Sequence, residues 1–222
     1  MIERLLSRIE TKIGRYKGIR NLITIIVAAM AAVYIADYLL GPAFGFYLSG
    51  KLAFNRAAIF RGEIWRIVTF VITPPASGLL FIIMELAFIY FTGTLLQNRW
   101  GILRFNLFYL FGMVCSMAAG VITGYATSYY INLSMLLAVA ILYPMMQMNL
   151  YGLIPFRMKW LALLEILLLL PGVINGSWGE RIAIIVSLLN VAVFFSDKLM
   201  YHVKNAKRRY EWKKSWRTGN WR

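Results

Sequence analysis

Two carboxylates stand where an ionised group is expensive. Glu85 interrupts the apolar run GLLFIIMELAFIYFTGTLLQ and Glu165 interrupts WLALLEILLLL. About 20 apolar residues at 1.5 Å per residue cross a ~30 Å hydrocarbon layer, so Glu85 sits roughly two turns inside a membrane span. A charged side chain there costs several kcal/mol unless it is paired, protonated or wetted, so Glu85 must face protein or water. For Glu165 a helix-packing hydrogen bond is the default partner. Acids along one path would suit proton-coupled transport or insertion, although no internal repeat or pair of broken helices accompanies them. The only histidine, His202, lies in a basic tail and is out of reach of chemistry within the bilayer. The single cysteine, Cys115, excludes an internal disulfide, and no metal cluster or cofactor is implied.

The elements that must hold these acids follow from composition. With 60% hydrophobic residues and a mean hydropathy of +0.66 over 222 residues, the chain needs lipid as its solvent. The expected class is all-α and polytopic. Spans are predicted at 22–40, 78–96, 105–124, 131–148, 160–170 and 181–195, the last extending toward Met200. Gly120 and Gly124, four apart, would permit close approach of a neighbouring helix. Pro171, Gly172, Gly176 and Gly179 mark the turn before the sixth span. The loop 41–77 is too rich in apolar and aromatic residues for a solvated linker and is expected to fold back and lie partly in the interface.

Net charge is +15, from 24 Lys and Arg against 9 Asp and Glu. Six spans place both termini on one side, and that side collects 19 of the 24 basic residues. Lys51, Arg56, Arg61, Arg66 and Arg181 fall opposite. Both termini are therefore expected in the cytoplasm. Residues 1–21 set Leu5, Leu6, Ile9 and Ile13 at helical spacing among Arg4, Arg8, Lys12 and Arg15, the pattern of a basic amphipathic surface helix or of a solvated leader. Their length and even charge before the first apolar run do not fit a cleaved signal peptide. The tail 201–222 interleaves basic residues with Trp212, Trp216 and Trp221. That alternation suits anionic headgroups with indoles at the interface, or an RNA or ribosome contact by stacking and phosphate neutralisation.

The order of features from Gly62 to Gly101 resembles the rhomboid superfamily, including the derlins. The Trp65-Arg66 pair in GEIWRIVTF stands in the first loop, and Gly93, Gly101, Arg104 and Phe105 follow in FTGTLLQNRWGILRF. The likeness covers roughly residues 20–200 and implies a six-helix core. Active rhomboids use a GxSG serine on helix 4, a histidine on helix 6 and an HxxxN motif on helix 2. The resemblance puts Ser134 at the serine position, with Asn132 and Met135 in place of the two glycines. Asn190 occupies the histidine position, beside Leu189 and Val191, and Phe81 and Glu85 replace the HxxxN pair.

An amide has no useful basicity, and an ionised acid repels an oxyanion. The resemblance therefore implies a catalytically inactive rhomboid-like or derlin-like protein, with Ser134 a vestigial nucleophile. Such a protein would bind transmembrane clients or partners, in membrane protein quality control, from the bacterial plasma membrane or the endoplasmic reticulum. Glu85, Ser134 and Asn190 are expected to form a polar client pocket. The alternatives are an intramembrane serine protease using Ser134 with another base, and a small transporter or insertase using Glu85 and Glu165. For Ser134 alone, a bond back to a carbonyl of its own helix is the ordinary role.

Overall fold

The computed structural model describes residues 8, 11–12, 18–75, 78–124, 126–150, 154–196 and 212, without the side chains of 148–150 and 154–156. Most of the leader and nearly all of the tail therefore lie outside the described residues, including His202 and both the lipid and RNA contacts expected of the tail.

Six longer helices carry the fold: α1 (Leu22–Phe44), α5 (Leu79–Trp100), α6 (Ile102–Thr123), α7 (Tyr129–Leu142), α8 (Met158–Ile174) and α9 (Trp178–Phe194). Three short helices, α2 (Leu48–Leu52), α3 (Arg56–Phe60) and α4 (Arg66–Thr69), and a 3-10 turn (Phe70–Ile72) fill the first loop. Among the described residues, α1, α5 and α6 are the helices long and apolar enough to cross a membrane, and their outward faces are apolar, as lipid requires. The 14 residues of α7 reach only about 21 Å, and the 17 of α8 or α9 about 25 Å.

Several boundaries correct the sequence reading. The fourth span was expected to run to Met148, but α7 stops at Leu142 and an antiparallel hairpin follows, β1 (Gln147–Leu150) with β2 (Ile154–Arg157). The chain is thus helical with one short hairpin. The gap between the spans predicted at 78–96 and 105–124 closes: α5 continues through Trp100, and Gly101 alone separates it from α6, at φ 86° and ψ 168°. That conformation is open essentially to glycine. Pro42 and Pro171 lie inside the last turns of α1 and α8, where proline was expected to mark loops. A proline two or three residues from a helix end displaces few hydrogen bonds, which is why neither stops its helix at once.

α7 is the centre of the fold. It has no polar face, only the single side chains Asn132 and Ser134 on different sides, and it is buried from Leu133 to Ala140. A helix without a polar face has to be enclosed by others, and α5, α6, α8 and α9 all pack on it. α1 lies outside, on α5, burying the stripe Ile23, Ile26, Met30 and Val33. There Gly93 lets Ile23 approach so closely that a Cβ would lie 2.4 Å from Ile23 Cγ1. The expected role of Gly120 and Gly124 differs: Gly120 faces Phe54 of the first loop and Ala126, and Gly124 ends α6 at φ 87°. At the opposite end of α6, Trp100, Phe108, Phe194 and Phe195 pack ring on ring, with centroids 5.1 to 6.1 Å apart.

Candidate functional site

Ser134 sits in the second turn of α7 with no exposed surface. Its hydroxyl donates to the Ile131 carbonyl at 2.7 Å, and its oxygen accepts the Asn190 Nδ2 hydrogen at 2.9 Å. Asn190 reaches it from α9 because Gly112 of α6 leaves room: a Cβ at Gly112 would stand 2.7 Å from Nδ2. The Asn190 side chain is 1% exposed, and its Oδ1 has no hydrogen-bond partner. The pair is a polar latch joining α7 to α9 within the buried core, and the serine already gives its hydrogen to the backbone.

Glu85 belongs to a different place. It lines a cavity of about 290 Å³ between α5, α7 and α8, with Phe88 and Thr92 from its own helix, Tyr129 and Asn132 from α7, and Glu165 from α8. The α7 residues on this cavity are Tyr129, Asn132, Leu133 and Leu136, one stripe of the helix. At 100° per residue Ser134 points to roughly the opposite side. Of the three residues expected in one polar pocket, Ser134 and Asn190 meet, while Glu85 is placed with Glu165. The Tyr129 hydroxyl donates to Glu165 Oε2 at 3.0 Å, the partner that the sequence left unassigned. Asn132 Oδ1 is buried without a partner, and the Thr92 hydroxyl is spent on the Phe88 and Ile89 carbonyls. Phe81 does not line the cavity and is 62% exposed. α5 and α8 both pack on α7 but scarcely touch each other, so the cavity lies behind a seam in the helix ring.

Tyr129 and Asn132 were not singled out from sequence. Residues 125–130 fall between the spans predicted at 105–124 and 131–148, yet Tyr129 opens α7, three residues before Asn132 and therefore on the same face. That spacing was the available signal.

The Trp65-Arg66 pair holds the first loop together. Arg66 is 5% exposed; its guanidinium pairs with Glu63 at 2.6 Å and donates to the Gly50 and Ala53 carbonyls at 2.7 and 2.8 Å. An arginine merely snorkelling to the interface would not be buried in this way. Trp65, half exposed, donates from Nε1 to the Lys51 carbonyl. Asp37 of α1 accepts the Leu48 and Ser49 amides at the start of α2, where a carboxylate meets unpaired N–H groups. Arg56 donates to the Val121 and Ile122 carbonyls at the end of α6. The loop is thereby fixed over the same end of the bundle at which α7 begins. Among the described residues no three His, Cys, Asp or Glu side chains converge as metal ligands. Compared with models of known protein families and with curated proteins, the chain matches none.

Proposed function

We propose that the chain is a catalytically inactive, rhomboid-like (derlin-like) multi-pass membrane protein, and that the cavity between α5, α7 and α8 receives transmembrane segments of client proteins, in the manner of a membrane quality-control factor. The observation that carries this reading is the state of Ser134. A serine nucleophile must be open to substrate and must have an acceptor for its hydrogen. Ser134 is enclosed, its hydrogen is held by the Ile131 carbonyl, and the side chain facing it is an amide donor. The helix order supports the rhomboid resemblance: a short fourth helix at the centre bears the serine, and the sixth, packed on it, bears Asn190. Client binding is supported by the cavity, which has apolar walls, polar groups on several helices and an opening between α5 and α8. The distribution of charge favours both termini in the cytoplasm, with the first loop opposite.

Two measurements test the proposal. A fluorophosphonate probe should label the wild type no more than Ser134→Ala, and a model transmembrane substrate should stay intact with both. Labelling or cleavage that depends on Ser134 refutes the inactive reading. A photo-crosslinker in place of Phe88 or Leu136 should capture a single-span helix in proteoliposomes, whereas one at Ile25, on the outer face of α1, should not. Equal capture from both positions refutes the assignment of the cavity.

A further inference from the structure

Resting on the client-binding reading, we infer that the α5–α7–α8 cavity selects transmembrane segments that carry a lysine or arginine inside the bilayer. Five acidic residues are described, and three have structural partners: Asp37 holds the start of α2, Glu63 pairs with Arg66, and Glu180 completes a capping box with Ser177. The other two, Glu85 and Glu165, line one cavity with no cation beside them among the described residues, and Glu85 accepts no hydrogen bond there. Asn132 Oδ1 on the same wall is a third acceptor, buried and unpartnered. Against these stand two donor groups not already turned to the backbone, the Tyr129 hydroxyl, which Glu165 has taken, and the Asn132 Nδ2, and neither carries a charge. A cavity rich in acceptors and poor in donors fits a group that brings only donors. An ammonium brings three and a guanidinium five.

Position narrows the occupant. Glu85 is six residues from the first residue of α5, about 9 Å along its axis, so its carboxyl lies well inside the hydrocarbon layer. A cation delivered there must travel on a membrane-embedded segment, which would pair it rather than leave it in lipid. The seam between α5 and α8 offers a lateral way in, and Leu164, Leu167 and Leu168 on α8 give an apolar face against which a helix can lie. A second copy of this chain is a poor occupant: α1 has no basic residue, and in α5 and α6 the only ones are Arg99 and Arg104 at the helix ends. The net charge of +15 repels cations elsewhere on the protein, so a preference for a basic segment has to originate in this cavity.

The test uses the full chain reconstituted in phosphatidylcholine vesicles with a labelled Leu/Ala host helix. The helix carries one lysine at the depth of Glu85 or a glutamine at the same position, and association is read by energy transfer. The lysine peptide should associate at least tenfold more strongly than the glutamine peptide, and Glu85→Gln with Glu165→Gln should bring the ratio within twofold. The helical spectrum and detergent-unfolding midpoint of that variant report that it is folded. Equal association of the two peptides with the wild type overturns this inference and leaves client binding standing, whereas failure of both peptides to associate overturns both. A lysine preference that survives in the double variant, or complete competition by dodecylammonium, also overturns it, the latter by assigning the cavity to a free amine.

Discussion

If Ser134 and Asn190 form a structural latch, removing one partner should hurt more than removing both. In Ser134→Ala the Asn190 Nδ2 hydrogens lose their acceptor in a site with 1% exposure, and Oδ1 is already unpartnered. A buried polar group left unsatisfied costs about 1–3 kcal/mol in soluble proteins. Interhelical hydrogen bonds in membranes average about 0.6 and reach about 1.7 kcal/mol, because the unfolded chain in lipid also finds partners. Asn190 is 1% exposed, which keeps bulk solvent from Nδ2, so the upper part of the membrane range applies. We expect a loss of about 1.5 kcal/mol, roughly tenfold in the unfolding equilibrium.

Asn190→Leu keeps the branched shape of the side chain and removes both of its polar atoms, while the Ser134 hydroxyl retains Ile131. That variant should lose under about 1 kcal/mol, and Ser134→Ala/Asn190→Leu should be no less stable than Ser134→Ala alone. Unfolding in mixed detergent micelles, followed by circular dichroism, measures all four proteins. Strict additivity of the two single changes would refute the latch, since independent sites add and hydrogen-bonded neighbours do not.

Two further outcomes follow from the packing. Arg66→Met strands the Gly50 and Ala53 carbonyls, at about 1–3 kcal/mol for each acceptor left unpaired, and leaves the part-exposed Glu63 to water. Amide hydrogen exchange in 48–72 should accelerate at least a hundredfold, and unchanged protection there would show that Arg66 does not hold the loop. Gly93→Val drives a side chain into Ile23 at the α1–α5 contact and should cost about 1–3 kcal/mol. A disulfide-trapping pair across α1 and α5 should then close more slowly, and wild-type closing would contradict the close approach.

Much of the architecture was legible in the linear chain. Apolar runs longer than a hydrocarbon layer specified lipid as the solvent and located α1, α5 and α6, because span length depends only on rise per residue. The cost of an ionised group in that layer drew attention to Glu85 and Glu165, and the lack of an imidazole in any span deprived Ser134 of a base. Boundaries were less visible: α7 was drawn six residues too long, because the apolar residues before β1 suit a strand as well as a helix. Which polar groups meet was settled only by tertiary packing. In a helix without a polar face no contrast reports which face meets which neighbour. The sequence could not say that Ser134 turns toward α9 while Tyr129 and Asn132 turn toward α5 and α8. Asn190 bonds a serine 56 residues away, and Glu85 shares its cavity with an acid on another helix. Those pairings depend on the rotation of each helix about its axis, which is set by interdigitating side chains of all its neighbours at once.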